Sequence, residues 1–123
     1  AGPITISDLT LKGGRAAIGA CLETDRVDAG GVLNINNVRF EGCAATDSGG
    51  GLRVNTGVVA TLKNCEFTAC TATKAGGAIA AWWTTNLLTV EDSTFSGCST
   101  AGTGGNDGGG AIFAHETEVR LTR

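Results

Sequence analysis

Apolar and polar residues alternate along four separate stretches of this chain, at residues 4–11, 33–40, 60–67 and 88–95. A period of two places successive side chains on opposite faces, which predicts β-strands with one buried face. When the stretches are superimposed, five apolar residues fall in one column: Ile6, Ile35, Leu62, Val90 and Leu121. They are separated by 29, 27, 28 and 31 residues, so the chain is an internal repeat with one unit per step.

The length and composition of this repeat predict an all-β solenoid. Steps of this size do not fit a heptad, and a composition with 20 glycines and many β-branched residues does not fit helical repeats. Each step instead suits one coil of three short strands joined by turns. We therefore predict a single domain, residues 1–123, that stacks about four to five such coils against one another.

The residue that joins two alternating stretches within a unit is Asn or Asp every time: Asp8, Asn37, Asn64 and Asp92. Both residue types tolerate the left-handed backbone conformation and hydrogen-bond their own backbone. Stacking the coils brings these side chains into one column, where they can hydrogen-bond from coil to coil. We expect a structural role for this column rather than a catalytic one.

The alternation also assigns the side chains that point into the solenoid. Two of the inward columns repeat a single residue type in three successive units. They consist of Phe40, Phe67 and Phe95 in one column and Cys43, Cys70 and Cys98 in the other. We expect the three rings, one coil apart, to stack, and the three cysteines to stack in the same way.

The cysteine column allows two interpretations. Parallel strands lie about 4.8 Å apart, inside the Cα separation of roughly 4.4 to 6.8 Å that a disulfide needs. Neighbouring cysteines can therefore be bridged, whereas Cys43 and Cys98, two coils apart, cannot, and at most one bridge fits in the column. A reduced stack is the alternative, because buried free cysteine behaves as a small hydrophobe. The chain has five cysteines, so they cannot all pair with one another.

A third strand is predicted after a glycine-containing corner in each unit. The corners lie at residues 50–52, 77–79 and 110–112, and the best match in the first unit is residues 19–22. Glycine allows a sharp turn there because it adopts positive φ without strain. The pattern points Val54, Ala81 and Ala114 inward and leaves Arg53, Ala80 and Phe113 outward.

These corners carry a family resemblance. The tetrapeptide GGAI occurs at residues 76–79 and 109–112, with the variant GGGL at residues 49–52. Over about residues 32–123 the repeat resembles that of the polymorphic outer-membrane proteins of chlamydiae, which are defined by GGAI and FxxN. The second tetrapeptide departs from that family, because Cys43, Cys70 and Cys98 stand where the family has Asn. The resemblance implies a right-handed parallel β-helix, related to the pectate-lyase-like solenoids, that serves as a surface-exposed passenger or adhesin.

Trp82 and Trp83 are the only tryptophans and lie next to each other in a short insertion. If Ala81 points inward, Trp82 points outward, in a column with Asn55 and His115. An exposed tryptophan can stack on a sugar ring or anchor a protein partner. The alternative is that one ring covers the solenoid wall and the other caps a turn. These four residues are our candidate binding site.

No metal or cofactor site is expected. His115 is the only histidine, and Glu116 and Glu118 near it make at most a weak metal or acid–base site. The glycine-rich loop at residues 101–109 contains GGND but lacks the nonapeptide period of calcium-binding repeats and the GK[ST] of a phosphate loop.

The outward columns argue against an enzyme of pectate-lyase type, because none of them concentrates carboxylates. Two pairs of opposite charge, Arg39 with Glu66 and Lys12 with Glu41, are expected to form ion pairs between coils. The net charge is −3, and the nine basic residues are scattered, which argues against nucleic-acid binding. No apolar run approaches the length of a membrane span.

We therefore expect a non-catalytic structural or adhesive module of a secreted or cell-surface protein. Its partners would be other protein chains or adjoining solenoid coils, stacked end to end, or glycans. No cap is recognisable after Ile112, and the fifth coil, from Glu118, is cut short, so we expect a segment of a longer solenoid or of a filament. The alternative is a carbohydrate-binding or polysaccharide-cleaving β-helix that uses Trp82 and Trp83 as a platform.

Overall fold

A computed structural model describes residues 3–24, 30–82, 87–102 and 108–123. The regular elements in these ranges are all β-strands, numbered in chain order. They are β1 Ile4–Lys12, β2 Arg15–Ile18, β3 Leu22–Glu23, β4 Gly31–Glu41, β5 Ala44–Ser48, β6 Leu52–Val54, β7 Val58–Lys63, β8 Glu66–Thr68, β9 Thr71–Ala72, β10 Ile79–Trp82, β11 Leu87–Glu91, β12 Thr94–Ser96, β13 Ser99–Thr100, β14 Ile112–His115 and β15 Glu118–Thr122.

The strands form three parallel sheets in which each strand pairs with the equivalent strand of the coil before or after it. The first sheet contains β1, β4, β7, β8, β11, β12 and β15, the second β2, β5, β9 and β13, and the third β3, β6, β10 and β14. Strands that pair only between successive coils wind the chain into a solenoid. The predicted all-β parallel solenoid is therefore confirmed, with about four turns.

The register of the first sheet is the one that the alternation predicts. Ile6 pairs with Ile35, Ile35 with Leu62, Leu62 with Val90 and Val90 with Leu121. A slip of one residue would turn every inward side chain outward. The buried apolar faces therefore fix the stacking of all five units.

The Asn and Asp column marks the bend between the two halves of the first sheet. Asp8, Asn37, Asn64 and Asp92 all have positive φ, at 57°, 54°, 53° and 49°. The Asn37 side-chain amide donates a 2.9 Å hydrogen bond to the Asp8 carboxylate in the coil before it. The left-handed conformation and the bond between coils are both those expected from the sequence.

Stacked phenylalanines form the centre of the core. The rings of Phe40 and Phe67 lie 4.3 Å apart and nearly parallel, and both are fully buried. Phe95 continues the stack at 5.0 Å from Phe67 and is half-buried. The predicted aromatic column is confirmed, and Phe67 lies between its two neighbours.

One strand assignment differs from the prediction. The two alternating stretches of each unit belong to one sheet, and β4 runs through both of them without a break. The short small-residue stretch after the cysteine, to which the alternation assigns no strand, forms the second sheet. Ala and Thr repeat there over two to five residues only, too short a run for alternation to be recognised.

The disulfide joins a pair of cysteines that neither interpretation of the cysteine column contains. Cys43 is bonded to Cys21, which lies outside the cysteine column, and Cys65, Cys70 and Cys98 are free. In the first coil, Gly14 occupies the position of the cysteine column. The Ala44 amide donates a hydrogen bond to the Gly14 carbonyl, and the Thr71 amide donates the equivalent bond to the Cys43 carbonyl one coil later.

Cys21 makes this pairing possible by occupying space that the first coil leaves empty. A Cβ atom on Gly14 would lie only 2.9 Å from the Cys21 sulfur. The sulfur therefore fills the volume that a side chain at position 14 would need. It reaches Cys43 from the corner just before β3, at a Cα–Cα distance of 5.7 Å.

Candidate functional site

The outward face of the third sheet carries most of the candidate binding residues. Ala80 pairs with Arg53 on one side and with Phe113 on the other. Trp82 pairs with His115 two residues further along. Because alternate residues of a strand share a face, all of these side chains start on the same outer face of the solenoid.

Trp82 lies at the centre of a cluster that we call the Trp82 patch, consisting of Arg53, Trp82, Phe113 and His115. The Trp82 ring centroid lies 4.9 Å from the Arg53 guanidinium carbon and 4.9 Å from the Phe113 ring. The His115 ring is 5.3 Å away. A cation over an indole face is attracted by the ring quadrupole, so Arg53 both covers and orients the indole.

Arg53 is held in this position by two side chains of its own coil. Its Nε donates a 3.0 Å hydrogen bond to the Asn55 carboxamide oxygen, and a terminal guanidinium nitrogen donates to the hydroxyl of fully buried Ser48. Burial lowers the pKa of Arg53, while the charges of Asp47 and Glu23 oppose this shift. An arginine stays charged under such conditions, so the patch presents a fixed cation beside an aromatic ring.

Asn55, a predicted binding residue, connects two coils. Its amide nitrogen donates to the Thr24 carbonyl at 2.6 Å and to the Glu23 carboxylate at 3.3 Å. Its backbone N–H donates to the Thr24 hydroxyl at 2.9 Å. Through its bond with Arg53, Asn55 positions the guanidinium of the patch. Trp83, the other tryptophan of the prediction, lies outside the described residues.

Two neighbours of the patch have a burial that the alternation does not predict. Ala80 lies in the outward row, as expected, but is fully buried, because its small side chain lies between those of Arg53 and Phe113. Ala114, expected to point inward, is exposed, since β14 pairs only with β10 in the described sheet. Burial here depends on the neighbouring coils as well as on the direction of the side chain.

The carboxylates of the described residues are dispersed and several are paired with cations. Arg39 and Glu66 form the expected ion pair at 3.2 Å. Lys12 and Glu41 are in register between coils, but no ion pair joins them. Three further pairs are exposed, namely Lys63 with Glu91, Lys74 with Asp47, and Arg120 with Glu118.

A metal centre is not evident in the parts of the chain that the structure describes, where no group of three or more His, Cys, Asp or Glu could hold an ion. His115 lies in the Trp82 patch and not in an acidic cluster. Most of the glycine-rich loop, residues 103–107, falls outside the described ranges. The search of the described residues for a helix that is long and apolar enough to cross a membrane found none.

An open groove of about 670 Å³ runs across the outer face of the second sheet. Its floor is a row of small side chains, because Ala45 pairs with Ala16 and Ala72, and Ala72 with Thr100. Arg15 is the charged residue at its first-coil end. The groove was not predicted, because these runs of small residues are too short for alternation to assign them to a sheet.

The comparisons with known proteins agree with this architecture. No curated protein and no solved structure matches the chain. A family model described as "Right handed beta helix region" matches residues 1–118, which is nearly the whole sequence and includes strands β1 to β14. The chain therefore belongs to the right-handed β-helix family.

Proposed function

We propose that this chain is a non-catalytic structural and adhesive β-helix module of a secreted or cell-surface protein, and that it associates with further coils at the faces of its stack. The GGAI corners favour the type of repeat found in the polymorphic outer-membrane proteins. The observation that supports the proposal most strongly is the difference in burial of apolar side chains between the middle of the stack and its two faces.

Side chains that are buried in the middle are exposed at those faces. In the column of Ile35 and Leu62, both of which are fully buried, Leu121 is 62% exposed. At the opposite face, Ile4 is 61% exposed although its partner in the next coil, Leu33, is buried. Parallel strand edges with apolar side chains are surfaces on which another coil can add.

Two further observations support the location and the absence of catalysis. The Cys21–Cys43 disulfide is the kind of bond that forms and persists in oxidising compartments such as the cell exterior. The described carboxylates lie on different coils and several are held in ion pairs, such as Arg39–Glu66. A polysaccharide lyase or hydrolase needs acidic or basic groups that converge on one bond.

Sedimentation velocity over a range of concentrations tests the association. We expect the chain to form larger species as the concentration rises, and Leu121→Lys to shift this to higher concentration. Thr122→Lys is the matched control, because Thr122 is an exposed neighbour on the same strand and should leave the association unchanged. A monomer at every concentration, or equal effects of the two substitutions, would refute association through this face.

Carbohydrate binding is a second candidate, favoured by the Trp82 patch. A half-buried indole with a fixed guanidinium beside it offers a ring for stacking and donors for sugar hydroxyls or carboxylates. Binding on a glycan array that is lost in Trp82→Ala but kept in Thr61→Ala, an outward substitution on the first sheet, would support it. Unsaturated products from pectin or alginate would contradict the non-catalytic assignment.

A further inference from the structure

The Cys21–Cys43 bond leaves two free thiols next to each other in the cysteine column. Cys70 and Cys98 lie on successive coils, between the register pairs Thr68–Ser96 and Thr71–Ser99. The Ser99 amide donates a 3.1 Å hydrogen bond to the Cys70 carbonyl, which fixes the two cysteines in register. Parallel neighbours lie about 4.8 Å apart, which is within the Cα range of a disulfide.

The two side chains also have the same orientation. The Cys70 sulfur lies 3.5 Å from the Phe40 carbonyl oxygen, and the Cys98 sulfur lies 3.5 Å from the equivalent oxygen of Phe67. Each sulfur therefore points towards the preceding coil. Side chains that are in register and share an orientation place the two sulfurs about one strand spacing, roughly 4.8 Å, apart. The two thiols are therefore neighbours before any oxidation takes place.

The surroundings of the two thiols make them chemically different. Interaction with the neighbouring Cys70 thiol lowers the pKa of Cys98 to about 6. Interaction with Cys98, together with burial, raises the pKa of Cys70 above its usual range. Cys98 is half-buried whereas Cys70 is fully buried. Cys98 therefore has the features of an attacking thiolate, and Cys70 those of a protected partner.

Cys65 is different from this pair. It lies in another column, where its neighbours one coil away are Val38 and Ser93, and the Ser93 hydroxyl accepts a hydrogen bond from the Cys65 amide. Burial raises the pKa of its thiol. Cys65 has no cysteine in register with it and is expected to stay reduced.

We propose that Cys98 is a thiol-modification site for low-molecular-weight disulfides and that Cys70 resolves the adduct to form a second disulfide between coils. In the first step the Cys98 thiolate attacks one sulfur of the small disulfide. The S–S bond breaks, one thiolate leaves, and a mixed disulfide forms on Cys98. In the second step Cys70 loses its proton to solvent and attacks the Cys98 sulfur, and the second small thiolate leaves and is protonated. Two protein thiols are oxidised, and one small disulfide is reduced to two thiols.

This proposal goes beyond the structural role and does not depend on it. Oxidised glutathione is a suitable probe, and the folded chain with Cys65→Ser is a suitable protein, because only two thiols then remain beside the Cys21–Cys43 bond. After incubation, denaturation and alkylation without a reductant, neither Cys70 nor Cys98 should be alkylated. Trypsin should release residues 64–74 linked to residues 75–120, which is diagnostic because Cys70 is the only cysteine left in the first peptide.

The order of the two steps has its own test. Cys70→Ser should accumulate the glutathione adduct on Cys98, whereas Cys98→Ser should leave Cys70 largely unmodified while the chain is folded. The rate of adduct formation should rise to about pH 6 and then level off, whereas that of an unperturbed cysteine would keep rising to about pH 8.5. Far-ultraviolet circular dichroism verifies that each variant is folded.

Three results would overturn the proposal. The first is two alkylated thiols in the Cys65→Ser chain after prolonged incubation. The second is a stable glutathione adduct on Cys98 that Cys70 does not resolve. The third is faster modification of Cys70 than of Cys98. The unaltered chain provides the final comparison, because it should yield alkylation at Cys65 alone.

Discussion

The first coil and the central coils of this solenoid are stabilised differently. In the central coils Phe40 and Phe67 stack at 4.3 Å and are fully buried. In the first coil the same column holds Leu11, which is only partly buried. The cysteine column likewise ends in Gly14 in the first coil, and there the Cys21–Cys43 disulfide supplies the connection.

The difference shows how a covalent bond can secure a coil whose apolar side chains are less buried than those of the central coils. A coil buries its apolar side chains only against the coils on either side of it, so the described first coil gains less from packing than a central one. A covalent bond to the next coil restricts the unfolded chain instead of adding contacts. We infer that packing holds the middle of the stack together and that the disulfide secures the first coil to it.

The largest expected effect comes from the centre of the aromatic column. Phe67→Ala should cost about 3 to 5 kcal/mol of unfolding free energy, through lost burial and a cavity between Phe40 and Phe95. Leu11→Ala, at the first-coil position of the same column, should cost clearly less, because that side chain is only partly buried. Chemical denaturation measures both. A loss below about 1 kcal/mol for Phe67→Ala would contradict the central role of the stack.

Removal of the disulfide is expected to have the second-largest effect. The bond closes a loop between residues 22 positions apart, so Cys21→Ala with Cys43→Ala should cost about 3 kcal/mol. The control is Cys65→Ala, which removes a buried thiol from a central coil without opening a loop. Equal losses for the two proteins in urea titrations would show that the disulfide adds nothing beyond packing.

Two glycine positions distinguish the two ways in which an added side chain can destabilise a turn. One is overlap with neighbouring backbone, and the other is a strained positive φ. A Cβ atom on Gly50 would overlap the carbonyl oxygens of Gly77 and Thr71, so Gly50→Ala should cost roughly 2 to 3 kcal/mol through forced backbone movement. Gly42 has a φ of 61° but open space around its Cβ position, and Gly42→Ala should cost only about 1 kcal/mol. Ala69 already adopts positive φ at the next position of that column.

Thermal unfolding compares these two glycine variants under one condition. The expected order is a large drop in midpoint for Gly50→Ala and a small one for Gly42→Ala. The reverse order would mean that the coils do not approach each other as closely at the corner as the structure shows.

The smallest expected effect is that of a surface ion pair. Arg39 and Glu66 lie 3.2 Å apart, with side chains that are 63% and 50% exposed. Such pairs contribute less than about 1 kcal/mol and are screened by salt. A double-mutant cycle with Arg39→Ala and Glu66→Ala, at low and high ionic strength, should give a small coupling energy that decreases with salt. A coupling energy of several kcal/mol would show that this ion pair contributes to stability as strongly as the packing of the core does.

Most of the structure of the central coils can be predicted from the sequence, because the signals for the inward face and for the bends are local and recur in every unit. Alternation assigns the inward face, and an Asn or Asp at each bend, such as Asn37 and Asn64, fixes the register. The disulfide was not predictable in this way, because it depends on the absence of a side chain at Gly14, which lets Cys21 reach Cys43 from the corner before β3. The Trp82 patch was predicted only in part, since the role of Arg53 arises from contacts with Ser48 and Asn55 that alternation does not specify.

Native-state hydrogen exchange with and without a reductant tests the central claim most directly. The Cys98→Ser variant is suitable, because Cys21–Cys43 is then the only disulfide that the reductant can remove. Reduction is expected to lower the protection of β1, β2 and β3 and to leave β7 and β8 protected. Loss of protection by the same factor in every coil, or no loss in the first coil, would contradict the claim that the disulfide secures the first coil to a core held together by packing.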